Sequence, residues 1–122
     1  MRLTSEFVVS ALIRRVEAAG AYAAIVRQGD ATAGAIFVMV LGRAGEAALY
    51  GPAPAYLVDM DHMPADAALT GNRLFVQTPL EPADETSAKT ALDREARMDP
   101  DLWVVEITDR AMRSFLPVVQ PD

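Results

Sequence analysis

The chain has 122 residues with no cysteine and one histidine, and eleven basic against seventeen acidic side chains give a net charge of −6. This length matches one domain and lets about two thirds of the extended chain's surface be buried, enough for a core without staples; the residue counts exclude disulfides, a thiolate nucleophile, cysteine-bound zinc and a two-histidine metal site. The acidic balance, with a pI near 4.7, opposes a phosphate backbone, and no apolar run reaches the ~20 residues of a membrane helix, so neither nucleic acid nor membrane is an expected partner.

Glu6, Arg14, Arg15 and Glu17 stand where a secretory leader needs an uncharged stretch, and the expected location is cytoplasmic. Thr4 or Ser5 is placed to cap a helix ending at Val16 or Ala19, with Gly20 behind it. Val8, Leu12, Val16 and Ala19 form its apolar stripe, and Arg15 is the one charge that falls within that face. Segments 22–27 and 35–41 are rich in Val, Ile, Tyr and Phe and are separated by the loop QGDATAG, so they read as a hairpin with a long turn. Segment 35–41 has no polar alternation, which predicts a central strand covered on both faces.

Residues 42–45 turn the chain into a third strand at 46–50, ended by Gly51 and Pro52 because proline cannot donate to a ladder. Residues 51–72 read as a loop region with a short helix at 64–69 stopped by Gly71. A fourth strand at 73–78 precedes a helix capped by Asp84 and running to Arg97, whose apolar face is only Ala88, Ala91, Leu92 and Ala96. Asp99 and Pro100 stop it, and 102–108 forms the last strand, which makes 73–108 a βαβ-like unit. A closing helical turn is expected at 110–116 and a loosely held tail at 117–122. The fold class is α+β: a single compact domain with a mostly antiparallel or mixed sheet of four to six strands. Helix 5–19 is expected on one face of it, with helix 84–97 beside it.

Few residues carry chemistry. Asp59, Asp61 and His62 include hard-metal ligand types, but their spacing fits a solvated acidic loop better, and no metal or cofactor is expected. Asp99 and Asp101 are carboxylates beside a proline, a turn-forming pattern. Gly29 to Gly34 fits neither a Walker loop nor a dinucleotide fingerprint, since a strand rather than a helix follows. No catalytic residue is assigned. Arg15 on the apolar helix face and Glu106 on the face of Leu102 and Val104 are two misplaced charges, and they read as a structural ion pair. The candidate ligand-binding set is Arg14, Arg15, Asp30, Asp99 and Asp101.

Three segments, MRLTSEFVVSALIRR at 1–15, GDATAGAI at 29–36 and DPDLWVVEITDR at 99–110, together resemble the small bacterial proteins of domain-of-unknown-function family 1491. The resemblance spans almost the whole chain and implies no activity, cofactor or catalytic residue. It does raise the question of why Arg15, Asp30, Asp99, Asp101, Trp103 and Asp109 occur together. The resulting expectation is a small non-catalytic binding or protein-interaction module that associates with itself or with another protein. Its alternative is a small enzyme or ligand sensor with an Arg/Asp pocket for an anionic small molecule.

Overall fold

The computed structural model describes residues 2–121. Helix α1, Ser5–Ala18, begins at Thr4, whose hydroxyl accepts the Phe7 N–H at 3.2 Å. Gly20, with φ +85°, then turns the chain away in the left-handed conformation that favours glycine. Strands β1 (Tyr22–Arg27), β2 (Ile36–Leu41), β3 (Ala47–Pro52) and β4 (Phe75–Thr78) follow, then helix α2 (Glu85–Met98) and strand β5 (Trp103–Thr108). Asp84 caps α2 by accepting the Ser87 N–H at 2.9 Å. The connection between β3 and β4 holds two 3₁₀ turns, Ala55–Leu57 and Ala67–Thr70, the second ended by Gly71.

The five strands form one open sheet in the order β1-β5-β2-β3-β4. Only the β2/β5 pair is parallel, so the sheet is mixed. The expected hairpin of β1 and β2 does not form: β5 lies between them, pairing Ile25 with Val105 on one side and Val38 with Val105 on the other. A connection of that length leaves room for a strand between its ends, and local composition cannot tell such a gap from a hairpin. Similarly, β4 and β5 run in the same direction but are separated by β3 and β2, so α2 carries the chain across two strands.

Side-chain alternation along β2 explains how the core is divided. Ile36, Val38 and Val40 join Val8, Val9, Leu12 and Val16 of α1 in one cluster, while Met39 joins Ala88 and Leu92 of α2 in another. The expected double cover of β2 is therefore present, with Val38, Met39 and Val40 at most 1% exposed. The same fact corrects the expected side-by-side helices, because one residue's step along β2 separates the two helices onto opposite faces. Fully burying each large side chain of α1 contributes about 1.5–3 kcal/mol, and α2, with two buried residues, is held much more lightly.

Strand β3 continues through Pro52, past its expected end. The N–H of Ala53 donates to Leu74 C=O at 2.9 Å, and hydrogen-bonded and non-bonded pairs alternate in an antiparallel ladder. Pro52, opposite Phe75, thus occupies a non-bonded position, and its missing donor costs the β3/β4 ladder nothing. The segment after β5 is not helical, since Met112 and Phe115 adopt φ values of 57° and 61°. Nor is the start of the tail loosely held. The Phe75 N–H donates to Pro117 C=O at 3.0 Å and the Val119 N–H to Phe75 C=O at 2.8 Å, so residues 117–119 cover the outer edge of β4. Strand β1 forms the other edge, with Tyr22, Ile25 and Val26 exposed.

These bonds predict that the amides of Phe75 and Val119 exchange slowly with solvent deuterium in the native protein. Exchange of both at the rate of an unstructured peptide would show that the tail is not docked.

Candidate functional site

The connection between β1 and β2 is organised by Asp30. Its carboxylate accepts the N–H groups of Thr32 at 3.2 Å and Ala33 at 2.9 Å, which folds the backbone into a tight turn. The Asp30 N–H donates to Asp101 C=O at 2.9 Å, and its carbonyl accepts the Trp103 indole N–H at 2.7 Å. A side chain at Gly29 or Gly34 would run into the Asp101 backbone, so the two glycines allow the loop to lie directly on the start of β5. Asp99 supports the same turn from the other side, accepting the Asp101 N–H at 3.1 Å. Asp30, Asp99, Asp101 and Trp103 therefore belong together for a structural reason.

The loop also seats α1. Ser5 N–H donates to Thr32 C=O at 3.0 Å and Glu6 N–H to Ala31 C=O at 2.9 Å, so the first donors of the helix are already satisfied. The fully buried Ser5 hydroxyl donates to Gly34 C=O at 2.6 Å and accepts from Arg73 Nη1 at 2.8 Å. Arg73 Nη2 donates to Leu3 C=O at 3.0 Å. The Arg73 backbone is itself held by Thr70, whose buried hydroxyl donates to its carbonyl at 2.6 Å. Burial lowers the pKa of the Arg73 guanidinium below the usual arginine value, and the positive charge of Arg2 lowers it further.

Beside this junction lies an open cleft of ≈ 990 Å³. Leu3, Pro52, Val58 and Met60 contribute accessible apolar surface, while Arg2, Arg73 and Asp99 bring charge to it. Of the five candidate ligand-binding residues, Asp99 alone lines this cleft. Asp30 and Asp101 are engaged in the loop contacts, Arg14 is exposed on α1, and half-buried Arg15 donates to Phe115 C=O at 3.2 Å. The proposed five-residue pocket is thus not assembled. Arg2 and Arg73, which do line the cleft, are not in the candidate set. Arg73 opens the apolar run RLFV, and it is a misplaced charge of the same kind as Arg15.

The expected Arg15–Glu106 ion pair is absent as well. Trp103, Val105 and Ile107 face α1, so Glu106, one step out of phase, faces α2. There it is a minor contributor to holding the exposed Lys89 ammonium protonated, after Glu85, which binds that ammonium at 2.6 Å. Arg15 instead has its pKa lowered by burial, an effect opposed by the charge of Asp66. His62 Nδ1 lies 2.8 Å from Asp59 Oδ2 on an exposed loop, and among the described residues no three His, Cys, Asp or Glu side chains cluster to hold a metal. No helix among the described residues is long and apolar enough to cross a membrane.

A two-pronged charge pair closes the segment after β5. Arg113 Nε and Nη2 each donate to the nearly buried Asp109 carboxylate at 2.9 Å, and the Arg113 N–H adds a third bond at 2.7 Å. The guanidinium hydrogen bonds foremost hold the Asp109 pKa down at about 2, from 3.8.

Two outcomes follow. A lowered folded-state pKa means that Asp109 stabilises the fold above pH ~4, and that this contribution is lost as pH falls through about 2. Asp109→Asn should cost about 1–2 kcal/mol at neutral pH in urea unfolding, less than the full shift implies because Arg113 is half exposed, and the difference should shrink on acidification. In a double-mutant cycle, Arg15→Met and Glu106→Leu should be additive within about 0.5 kcal/mol. A larger coupling would restore the pair.

The family model described as "Protein of unknown function (DUF1491)" matches residues 3–117. The solution structure of protein Atu0922 from A. tumefaciens is 41% identical, with a TM-score of 0.78 over 100% of this chain and 98% of that one. The crystal structure of a DUF1491 family protein from Caulobacter crescentus CB15 is 39% identical, with a TM-score of 0.75 over 97% of this chain and 98% of that one. An NMR structure of a DUF1491 family protein from the same organism is 40% identical, with a TM-score of 0.74 over 97% of each chain. No functionally curated protein matches the chain. With the family model spanning nearly its whole length and these structures sharing its fold, the chain belongs to the DUF1491 family of proteins of unknown function.

Proposed function

We propose that the protein is a small non-catalytic binding module and that its binding surface is the cleft beside the start of α1. The observation that supports this reading is the way the cleft is built. Its rim residues, Leu3, Gly34 and Arg73, are tied to one another through the Ser5 hydroxyl and the Arg73 guanidinium, so the concavity is pre-formed. Its apolar wall and convergent hydrogen-bonding groups suit a bound molecule of modest size. Asp99, the one carboxylate that lines it among the described residues, already accepts a backbone N–H and is placed to shape the turn.

The test is an amide-resolved NMR titration with a mixed panel of small neutral and charged organic molecules. Binding should move the resonances of Leu3, Gly34, Arg73 and Phe75 together and leave those of α2 in place. Shifts confined to another surface, such as the β1 edge, would overturn the assignment of the cleft.

A further inference from the structure

Accepting the cleft as the binding surface, we infer that its ligand is an organic anion, a carboxylate or phosphate monoester on an apolar body, whose charged end is received by Arg73 and Arg2. The partners of Arg73 are all neutral: the Ser5 hydroxyl and the carbonyls of Leu3 and, at 3.5 Å, Gly34. Among the described residues no carboxylate lies within ion-pair distance of it, although the chain carries seventeen acidic side chains. A second cation, Arg2, lines the same cleft, and its charge acts on Arg73. Two like charges at one rim disfavour each other, and an anion placed between them converts that repulsion into two attractions.

The geometry also prepares the site. Arg73 is held at both Nη atoms, so the guanidinium is fixed in place, and its Nε–H and a second Nη2–H make no hydrogen bond among the described residues. The N-terminus of α1 is not the receptor, because the N–H groups of Ser5, Glu6 and Phe7 are bonded to Thr32, Ala31 and Thr4. The arginines carry the recognition. Away from them the accessible apolar lining is Leu3, Pro52, Ala53, Val58 and Met60, which accommodates hydrocarbon. Asp99 on the same cleft disfavours a second negative group, so the ligand has one anionic end.

The test compares three probes with the same short alkyl chain: the carboxylate, the phosphate monoester and the alcohol, each titrated into the full chain by amide-resolved NMR. At least one anion should bind at the cleft about tenfold or more tightly than the alcohol, weakening as salt is raised, and the tighter of the two identifies the headgroup. Substituting Arg73 removes ties to Leu3 and Ser5 and risks the fold, so the variant of choice is exposed Arg2. Arg2→Glu should abolish the preference for the anions at unchanged thermal midpoint, and Arg2→Lys should retain it. Equal binding of alcohol and anions at the cleft would overturn the anion assignment and leave the cleft as the binding surface. No shift at the cleft from any probe would overturn both.

Discussion

A strand can be inserted between two others only if its neighbours are held one strand's width apart on each side, and here the residues that hold that opening lie in the loop between β1 and β2. Asp30 shapes the loop with its carboxylate and grips β5 with its backbone, through Asp101 and the Trp103 indole. Gly29 and Gly34 permit the close approach. The same loop offers the carbonyls of Ala31, Thr32 and Gly34 to α1. One short connection thereby sets the register of the parallel pair, the seat of the first helix and one wall of the cleft.

Much of this was legible in the chain and some was not, for reasons that differ by residue. Thr4, Gly20 and Asp84 marked helix ends because capping is a local interaction. The unalternating run at 35–41 disclosed a doubly covered strand, Ile36–Leu41, because burial leaves a local compositional trace. Pairing leaves no such trace, so the gap that β5 fills looked like a hairpin. The error over Arg15 and Glu106 came from the same source. Alternation placed each residue correctly within its own element, but which face α1 takes is a tertiary fact. Arg73 was hidden because its burial depends on Ser5 and Leu3, far away in sequence.

The charges that matter are arranged in two opposite ways. Asp109 and Arg113, four residues apart, neutralise one another and pin the turn after β5, with the guanidinium 4.8 Å from the Phe115 ring centroid. Arg15 satisfies the carbonyl of that same Phe115, tying α1 to the turn through a neutral acceptor. Arg73 likewise spends its hydrogen bonds on neutral acceptors while retaining its charge. A chain that is strongly acidic overall thus brings two arginines, Arg2 and Arg73, to one cleft, where net charge alone would not place them.

The sheet order also governs how the chain can be assembled in time. The strand that joins β1 to β2 is β5, made more than sixty residues after β2 begins, so a chain emerging from the N-terminus possesses α1, β1 and β2 without the element that connects them. The β2-β3-β4 meander can pair as it appears, and α1 can rest on β2, whereas β1 acquires its ladder partner only when the C-terminal quarter arrives. Closing those long loops before any contact rewards them makes the final step slow and highly cooperative. Until it occurs, the apolar edges of β1 and β2 are open to each other and to other chains.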